Sequence, residues 1–223
     1  MLFRSPHRLR WTSSTRPAVR VWAYPRPAVV LGRSGRPDAG IAARARDAGV
    51  DLCVRASGGG AVLAGPWLLS ASVLLPPDHP LVLPSIARSF GWLGRAYCDW
   101  LEALGVRADA ATGPDPRRDD PLAWACFAGL SYGEVAVDGR KLVGLSQARQ
   151  RHGVLFASGL LVSPSPWPLL CTVMGRPAEH ADAMARRTVT FAEASGSSAP
   201  ATALAETLAQ PLLDALCAAL RVA

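Results

Sequence analysis

The chain of 223 residues is long enough for one sizeable core, and with half its residues hydrophobic it does not belong to the disordered class. Charged residues make up only 18%, and there are 20 glycines and 19 prolines, which excludes an extended coiled coil and marks a chain that turns often. The formal net charge of +7 suits an acidic partner, whereas the scattered arginines lack the aromatic-interleaved stripe of a nucleic-acid binder.

Residues 1–18 are polar, arginine-rich and unpatterned, so they read as an irregular N-terminal arm, and residues 19–223 read as a single domain. Val19 to Tyr24 and Ala28 to Leu31 carry strand patterns. Asp38 is placed to cap a short helix through Ala48 that Gly49 ends, and Val50 to Arg55 then reads as a strand entering a glycine triplet. Ala61 to Leu63 and Leu68 to Leu75 are the next strands, close enough together to be antiparallel neighbours. The spacing of Ile86, Phe90, Leu93, Tyr97, Trp100, Leu101 and Leu104 predicts a helix over Ser85 to Leu104 with a core-facing stripe, stopped by Gly105. Ala108 to Pro121 is an exposed loop by composition.

Tyr132 to Val137 alternates, Asp138-Gly139 is a strong hairpin signal, and Arg140 onward and Val154 to Val162 complete a meander. Ser163 to Pro168 is a proline-rich bend, Ala178 to Arg187 a short helix, and Leu204 to Leu220 a helix kinked or started at Pro211. Strands in runs, with helices between and after them, predict an α+β fold with helices packed on one side of the sheet.

Two uncharged stretches, Ala56 to Pro77 and Gly153 to Gly175, reach membrane-spanning length. The glycine triplet and Pro66 in the first, and Pro164, Pro166 and Pro168 in the second, argue against a transmembrane helix. Residues 1–20 hold no apolar run of the signal-peptide kind, so a cytoplasmic location away from the membrane is expected. The five cysteines are widely spaced and free of any CxxC pairing, and no two histidines are close, so neither a disulfide framework nor a metal site is expected.

Two segments carry candidate chemistry. Arg55-Ala56-Ser57-Gly58-Gly59-Gly60-Ala61-Val62 is a glycine-rich turn between strands with a cation at its entry, able to bring backbone N–H groups to an anion, and equally able to be a tight hairpin with no ligand. It is neither a P-loop nor a dinucleotide fingerprint, because no Lys-Ser/Thr and no helix follows. Lys and Arg total 24, and all but Lys141 are arginine, which singles out a position where a compact ammonium is wanted. Lys141 follows the Asp138-Gly139 turn and precedes the small Gly144 and Ser146. It could neutralise an oxyanion or a phosphate, or be a solvated hairpin lysine.

These two segments in this order, with Pro27-Ala28-Val29-Val30-Leu31-Gly32-Arg33, Tyr132-Gly133-Glu134-Val135, His152-Gly153-Val154-Leu155 and Gly159-Leu160-Leu161, resemble the lipoate-protein ligase A and octanoyltransferase superfamily, relatives of the biotin ligases. The resemblance covers about residues 19 to 175. It implies a central, largely antiparallel mixed sheet flanked by helices. It also implies attachment of a lipoyl or octanoyl group to a lysine of a carrier domain by way of an acyl-adenylate, with ATP, Mg²⁺ and lipoate or octanoate as cofactors and substrate. On that resemblance Arg55 and the segment Gly58, Gly59, Gly60, Ala61, Val62 and Leu63 hold the acyl-adenylate. Lys141 contacts phosphate and acyl carbonyl beside Gly144 and Ser146. The implied partners are lipoyl carrier domains, those of 2-oxoacid dehydrogenase E2 or the glycine cleavage H protein, commonly acidic and so suited to a basic chain.

Two departures open alternatives. Ala64-Gly65 stands where the family often has a His-Asp pair, and Leu145-Ser146 replaces a commoner small-Ala pair. The Cys126-Phe127 pair resembles one transferase subgroup of the family, in which the acyl group passes through a cysteine thioester without ATP. The readings are therefore an ATP-dependent ligase as the main expectation, a transferase using Cys126, and a carrier-binding homologue without catalysis. Biotin ligation is a lesser possibility.

Overall fold

The computed structural model describes residues 16–113 and 120–221. The expected N-terminal arm lies outside the described residues but for its last three, of which Ala18 already begins the first strand. The strands in chain order are β1 (Ala18–Ala23), β2 (Ala28–Leu31), β3 (Asp51–Val54), β4 (Val62–Ala64), β5 (Leu68–Leu75), β6 (Asp109–Ala110), β7 (Val135–Val137), β8 (Arg140–Gln150) and β9 (Gly153–Leu161). The helices are α1 (Ala39–Asp47), α2 (Gly91–Ala103), α3 (Trp167–Met174), α4 (Glu179–Arg187), α5 (Phe191–Ser195) and α6 (Ala201–Ala219).

Six strands form one antiparallel sheet in the order β1-β5-β9-β8-β7-β6. The period-two alternation of side chains gives its two faces different jobs. Leu69, Ala71, Val73 and Leu75 of β5 join Val154, Phe156 and Leu160 of β9 in a core completed by Trp92, Leu93, Tyr97 and Leu101 of α2 and by Leu204, Leu208, Leu212 and Leu216 of α6. Burial of each Val, Leu or Phe side chain among them contributes about 1.5–3 kcal/mol. Tyr97 brings a hydroxyl into this core and shares a 2.8 Å hydrogen bond with Ser158. Burial raises its pKa far above the ordinary phenol value, so the group stays neutral.

The opposite face of the sheet is lined by small residues. Ser70, Gly159 and Gly144 lie in register across β5, β9 and β8, and Ser72, Ala157 and Ser146 form the next row. Their low profile leaves space above the strands. Beside it stands a second, three-stranded sheet, β3-β2-β4, in which β2 pairs parallel with β3 and antiparallel with β4. A second core joins this small sheet to α1, α3 and α4 through Val29, Leu31, Leu63, Trp167, Leu170 and Met184.

The architecture is α+β with flanking helices, and several local expectations are corrected. The helices flank the assembly on both sides, since the second core recruits α1, α3 and α4. The strands before and after the glycine triplet are not a hairpin, because β3 and β4 both pair with β2 and the loop crosses over its end. Nor are β4 and β5 partners; they belong to different sheets. The predicted helix at Ser85 starts only at Gly91, after a 3-10 turn over Arg88–Phe90, because the Ser89 hydroxyl bonds Leu83 and folds the chain back. Ile86, ahead of the helix, is therefore exposed and not core, and so is Leu104, which caps the helix C-terminus. The loop at Ala108 to Pro121 contains the edge strand β6. Pro211 lies inside α6, which begins ten residues earlier, after Pro200.

Other expectations are met closely. Asp38 caps α1, its carboxylate accepting from Ile41 N–H at 2.7 Å, and Gly49 follows the helix with φ +64. Asp138 and Gly139 have φ 50 and 72, as a type I′ hairpin between β7 and β8 requires.

Candidate active site

A cavity of about 380 Å³ opens where two loops meet over the small-residue face of the large sheet. One wall is the glycine loop, Gly58 to Gly60, and another is the loop that carries Cys126. Lys141 and Ser146 of β8 complete it from below, and Phe90 and the exposed Ile86 form an apolar lip.

The bulge in β8 explains how Lys141 comes to face this space. Regular alternation would put Lys141 and Gly144, three residues apart, on opposite faces. Between β7 and β8, however, Val135 pairs with Val143 and Ala136 with Lys141, so β8 carries one extra residue at Leu142. The extra residue turns Lys141 to the same side as Gly144 and Ser146, leaving Leu142 and Val143 in the core. A Cβ at Gly144 would stand 3.3 Å from Lys141 Cε and 3.2 Å from Phe127 Cζ, so the glycine makes room for both side chains.

Lys141 is not solvated. It is 2% exposed, and its ammonium donates to the carbonyls of Cys126 (2.7 Å) and Gly129 (2.9 Å) and to Glu134 Oε2 (2.7 Å). Those three acceptors match the three N–H bonds of an ammonium. Glu134, itself buried, also accepts from Ser131 N–H at 2.8 Å and Leu145 N–H at 3.0 Å. A buried ion pair is tolerated only when its remaining lone pairs are satisfied in this way. The Phe127 ring lies 5.3 Å from the ammonium and adds a cation–π contact.

Arg55 is the glycine loop's brace. It does not line the cavity; its guanidinium donates to Gly58 O (2.8 and 3.2 Å), Gly60 O (2.9 Å) and Val30 O (3.1 Å). The loop passes so close to Gly32 that a Cβ there would lie 2.1 Å from Gly59 O. Ala61 pairs with the cysteine loop: its N–H donates to Trp124 O at 2.7 Å and its carbonyl accepts from Cys126 N–H at 2.9 Å. A Cβ at Gly60 would meet Trp124 O at 2.4 Å, so only glycine permits this approach. Val62 and Leu63 are engaged in β4, and Leu63 is core. Ser57 and Ser146 join loop to sheet by a 3.0 Å hydroxyl bond.

Of the residues singled out in the sequence, the structure brings Gly58, Gly59, Gly60, Lys141, Ser146 and Cys126 to one cavity. It places Arg55, Ala61, Val62, Leu63 and Gly144 behind its walls. Glu134 was not singled out, although it stands seven residues before the sole lysine across a hairpin turn, close enough for pairing. Arg187 was also missed. It ends α4 and reaches over to an ion pair with Asp120 and a 3.1 Å bond to Ala128 O, both on the cysteine loop. Nothing in its local sequence signals that contact.

No helix among the described residues is long and apolar enough to cross a membrane. Among the described residues no group of three or more His, Cys, Asp or Glu side chains stands ready for a metal ion.

Comparison with known proteins adds a family to this geometry. The family described as the lipoyl protein ligase A/B catalytic domain matches residues 7–212. A protein named Octanoyltransferase LipM from Moorella thermoacetica is 32% identical over 166 residues, covering 74% of this chain and 60% of that protein. The protein of the same name from Kyrpidia tusciae is 29% identical over 211 residues, covering 90% and 76%. The chain thus spans under two thirds of the Moorella relative. Among solved structures, lipoate-protein ligase A bound with ATP has a TM-score of 0.66 at 18% identity, covering 94% of this chain and 74% of that one. A bi-partite lipoate protein ligase from Thermoplasma acidophilum has a TM-score of 0.66 at 18% identity, covering 92% and 72%. At that identity the structural likeness concerns the fold.

Proposed function

Because the chain belongs to the lipoyl protein ligase A/B catalytic domain family, we propose that it is an acyltransferase that moves an octanoyl group from a thioester donor to a lysine of a lipoyl carrier domain through a thioester on Cys126. The observation that carries this reading is the position of Cys126 in the cavity wall, between the glycine loop and Lys141, on a loop whose carbonyl the ammonium holds. The relatives named octanoyltransferase support it.

In the first step the Cys126 sulfur attacks the acyl carbonyl. A carbon–sulfur bond to Cys126 forms, the bond to the donor sulfur breaks, and the donor thiol leaves with the proton that Cys126 gave up. In the second step the acceptor amine attacks the Cys126 thioester, an amide forms and the thiol is restored. The N–H groups of Gly58, Gly59 and Gly60 have no internal partner among the described residues, and they are the donors we assign to the developing oxyanion. Lys141 and Glu134 hold the cysteine loop in place. The positive net charge favours encounter with an acidic lipoyl domain, of an E2 or an H protein.

This reading ranks the transferase above the ligase, reversing the order expected from sequence. Adenylate chemistry would ask the cavity for cationic donors to a triphosphate and for carboxylates to hold Mg²⁺. The three N–H bonds of Lys141 and four of the five of Arg55 are engaged inside the protein. Both carboxylates of the cavity wall, Glu134 and Asp120, are paired with cations. The residues present do not fit the nucleotide and its metal without breaking these contacts.

The test is incubation with an octanoyl-carrier donor and a lipoyl domain, with and without ATP, followed by intact mass. The transferase reading expects octanoyl-lipoyl domain without ATP, an octanoyl adduct on the enzyme, and loss of both in Cys126→Ser. Product only from free octanoate or lipoate with ATP, retained in Cys126→Ser, would return the ligase to first place.

A further inference from the structure

We infer that Arg187, outside the cavity, is a positioning residue for Cys126, acting as a staple that closes the cysteine loop; this rests on the thioester reading above. The loop from Asp120 to Gly129 supplies a cavity wall through Asp120, Ala123, Ala125, Cys126 and Ala128. Its regular structure is one 3-10 turn over Cys126–Ala128; Leu122, Ala125, Phe127 and Ala128 seat it in the second core, Trp124 Nε1 donates to His180 at 3.1 Å, and three further polar attachments hold its backbone. The glycine loop holds it at Trp124 and Cys126 through Ala61. Lys141 holds the carbonyls of Cys126 and Gly129.

The third attachment is Arg187, whose Nη1 bonds both Asp120 Oδ2 and Ala128 O, so a single nitrogen ties the beginning of the loop to its end with Cys126 between them. Asp120 is fixed in turn, its other carboxylate oxygen accepting from Leu122 N–H at 2.8 Å. Its side chain is 8% exposed and that of Arg187 27%, so the pair is shielded more than an ordinary surface salt bridge.

The staple is also registered to the lysine. Thr188, the next residue, forms a bridge with Lys141, and Val189 N–H donates to Lys141 O at 3.0 Å. The end of α4 therefore sets the spacing of the two cations that grip the loop from its two sides. Neither the folding of α4 nor the main cores call for a guanidinium here. What the contact fixes is the height and angle of a wall carrying a nucleophile, and displacement of about an ångström at such a group is enough to cost roughly a hundredfold in rate.

The experiment compares Arg187→Ala and Arg187→Lys with the unaltered chain in three measurements: octanoyl transfer to Cys126, alkylation of Cys126 by iodoacetamide, and amide hydrogen exchange across residues 120–129. The staple predicts that Arg187→Ala lowers kcat for acylation by roughly 10- to 100-fold with KM changed by less than about threefold. Alkylation by the small reagent should be as fast or faster, exchange across the loop should accelerate, and Arg187→Lys should restore most of the rate. Unchanged acylation in Arg187→Ala overturns the proposal, as does an equal loss of acylation and alkylation that lysine does not restore. Should the unaltered chain form no thioester at all, the transferase reading fails while the exchange data still decide the staple: unchanged exchange across 120–129 in Arg187→Ala overturns it.

Discussion

The large sheet and the two loops above it are held together by different means. In the sheet, ladder hydrogen bonds repeat along β5, β9 and β8, and the core face is fixed by many apolar contacts of similar size. The glycine and cysteine loops have little regular pairing, and three cations, Arg55, Lys141 and Arg187, fix them by each bonding two or more carbonyl or carboxylate acceptors. The sheet distributes its stability over many residues of modest individual effect. The loops add to the seating of Ala61, Leu122, Ala125 and Phe127 in the second core a few polar groups, and removal of one of these leaves several acceptors without a partner.

The largest effects expected separate these two kinds of support. Phe156→Ala, in the centre of the core, should cost about 3–5 kcal/mol through lost burial and a residual cavity. Lys141→Met should cost a similar amount, about 3–5 kcal/mol, because it strands the buried Glu134 carboxylate. The two differ in rescue: adding Glu134→Leu to Lys141→Met should recover in urea denaturation the part of the loss due to the stranded carboxylate, leaving the cost of the unpaired Cys126 and Gly129 carbonyls and Ser131 and Leu145 N–H groups. If the double variant is as unstable as the sum of the singles, the ion pair is not what couples them.

Gly60→Ala ranks next. A methyl at that position meets Trp124 O at 2.4 Å, so the loops must part, with a cost of about 1–3 kcal/mol. Separation of the walls should also abolish acylation of Cys126 under conditions where thermal melting shows the chain still folded. Full activity in Gly60→Ala would mean that the close approach of the two loops is not needed for transfer.

The same contrast explains what could be read from the sequence. The β8–β9 meander, the Asp138-Gly139 turn and the Asp38 cap are written in local patterns whose physics acts over a few residues. The glycine triplet was legible as a feature but not as a structure, because the choice of β2 as the common partner of β3 and β4 depends on strands elsewhere in the chain. Lys141 stood out by its composition, yet its burial depends on a one-residue bulge that no periodicity announces. Arg187 was illegible altogether, since it is one of many arginines and its targets lie some sixty residues away.

The smallest predicted effect lies at the seam between the two regions. Ser57 and Ser146 exchange one neutral hydroxyl bond, the only side-chain bond from the glycine loop to β8 among the described residues. A bond of this kind contributes about 0.5–1.5 kcal/mol net, so Ser57→Ala should lower stability by no more than that. If Arg55 alone sets the loop, Ser57→Ala should leave acylation within about threefold, the change being read as a small shift in the urea midpoint with an unchanged slope. A collapse of activity from so slight a loss would show that the loop takes its position from the sheet beneath it, and the division between distributed and concentrated support would have to be redrawn at that residue.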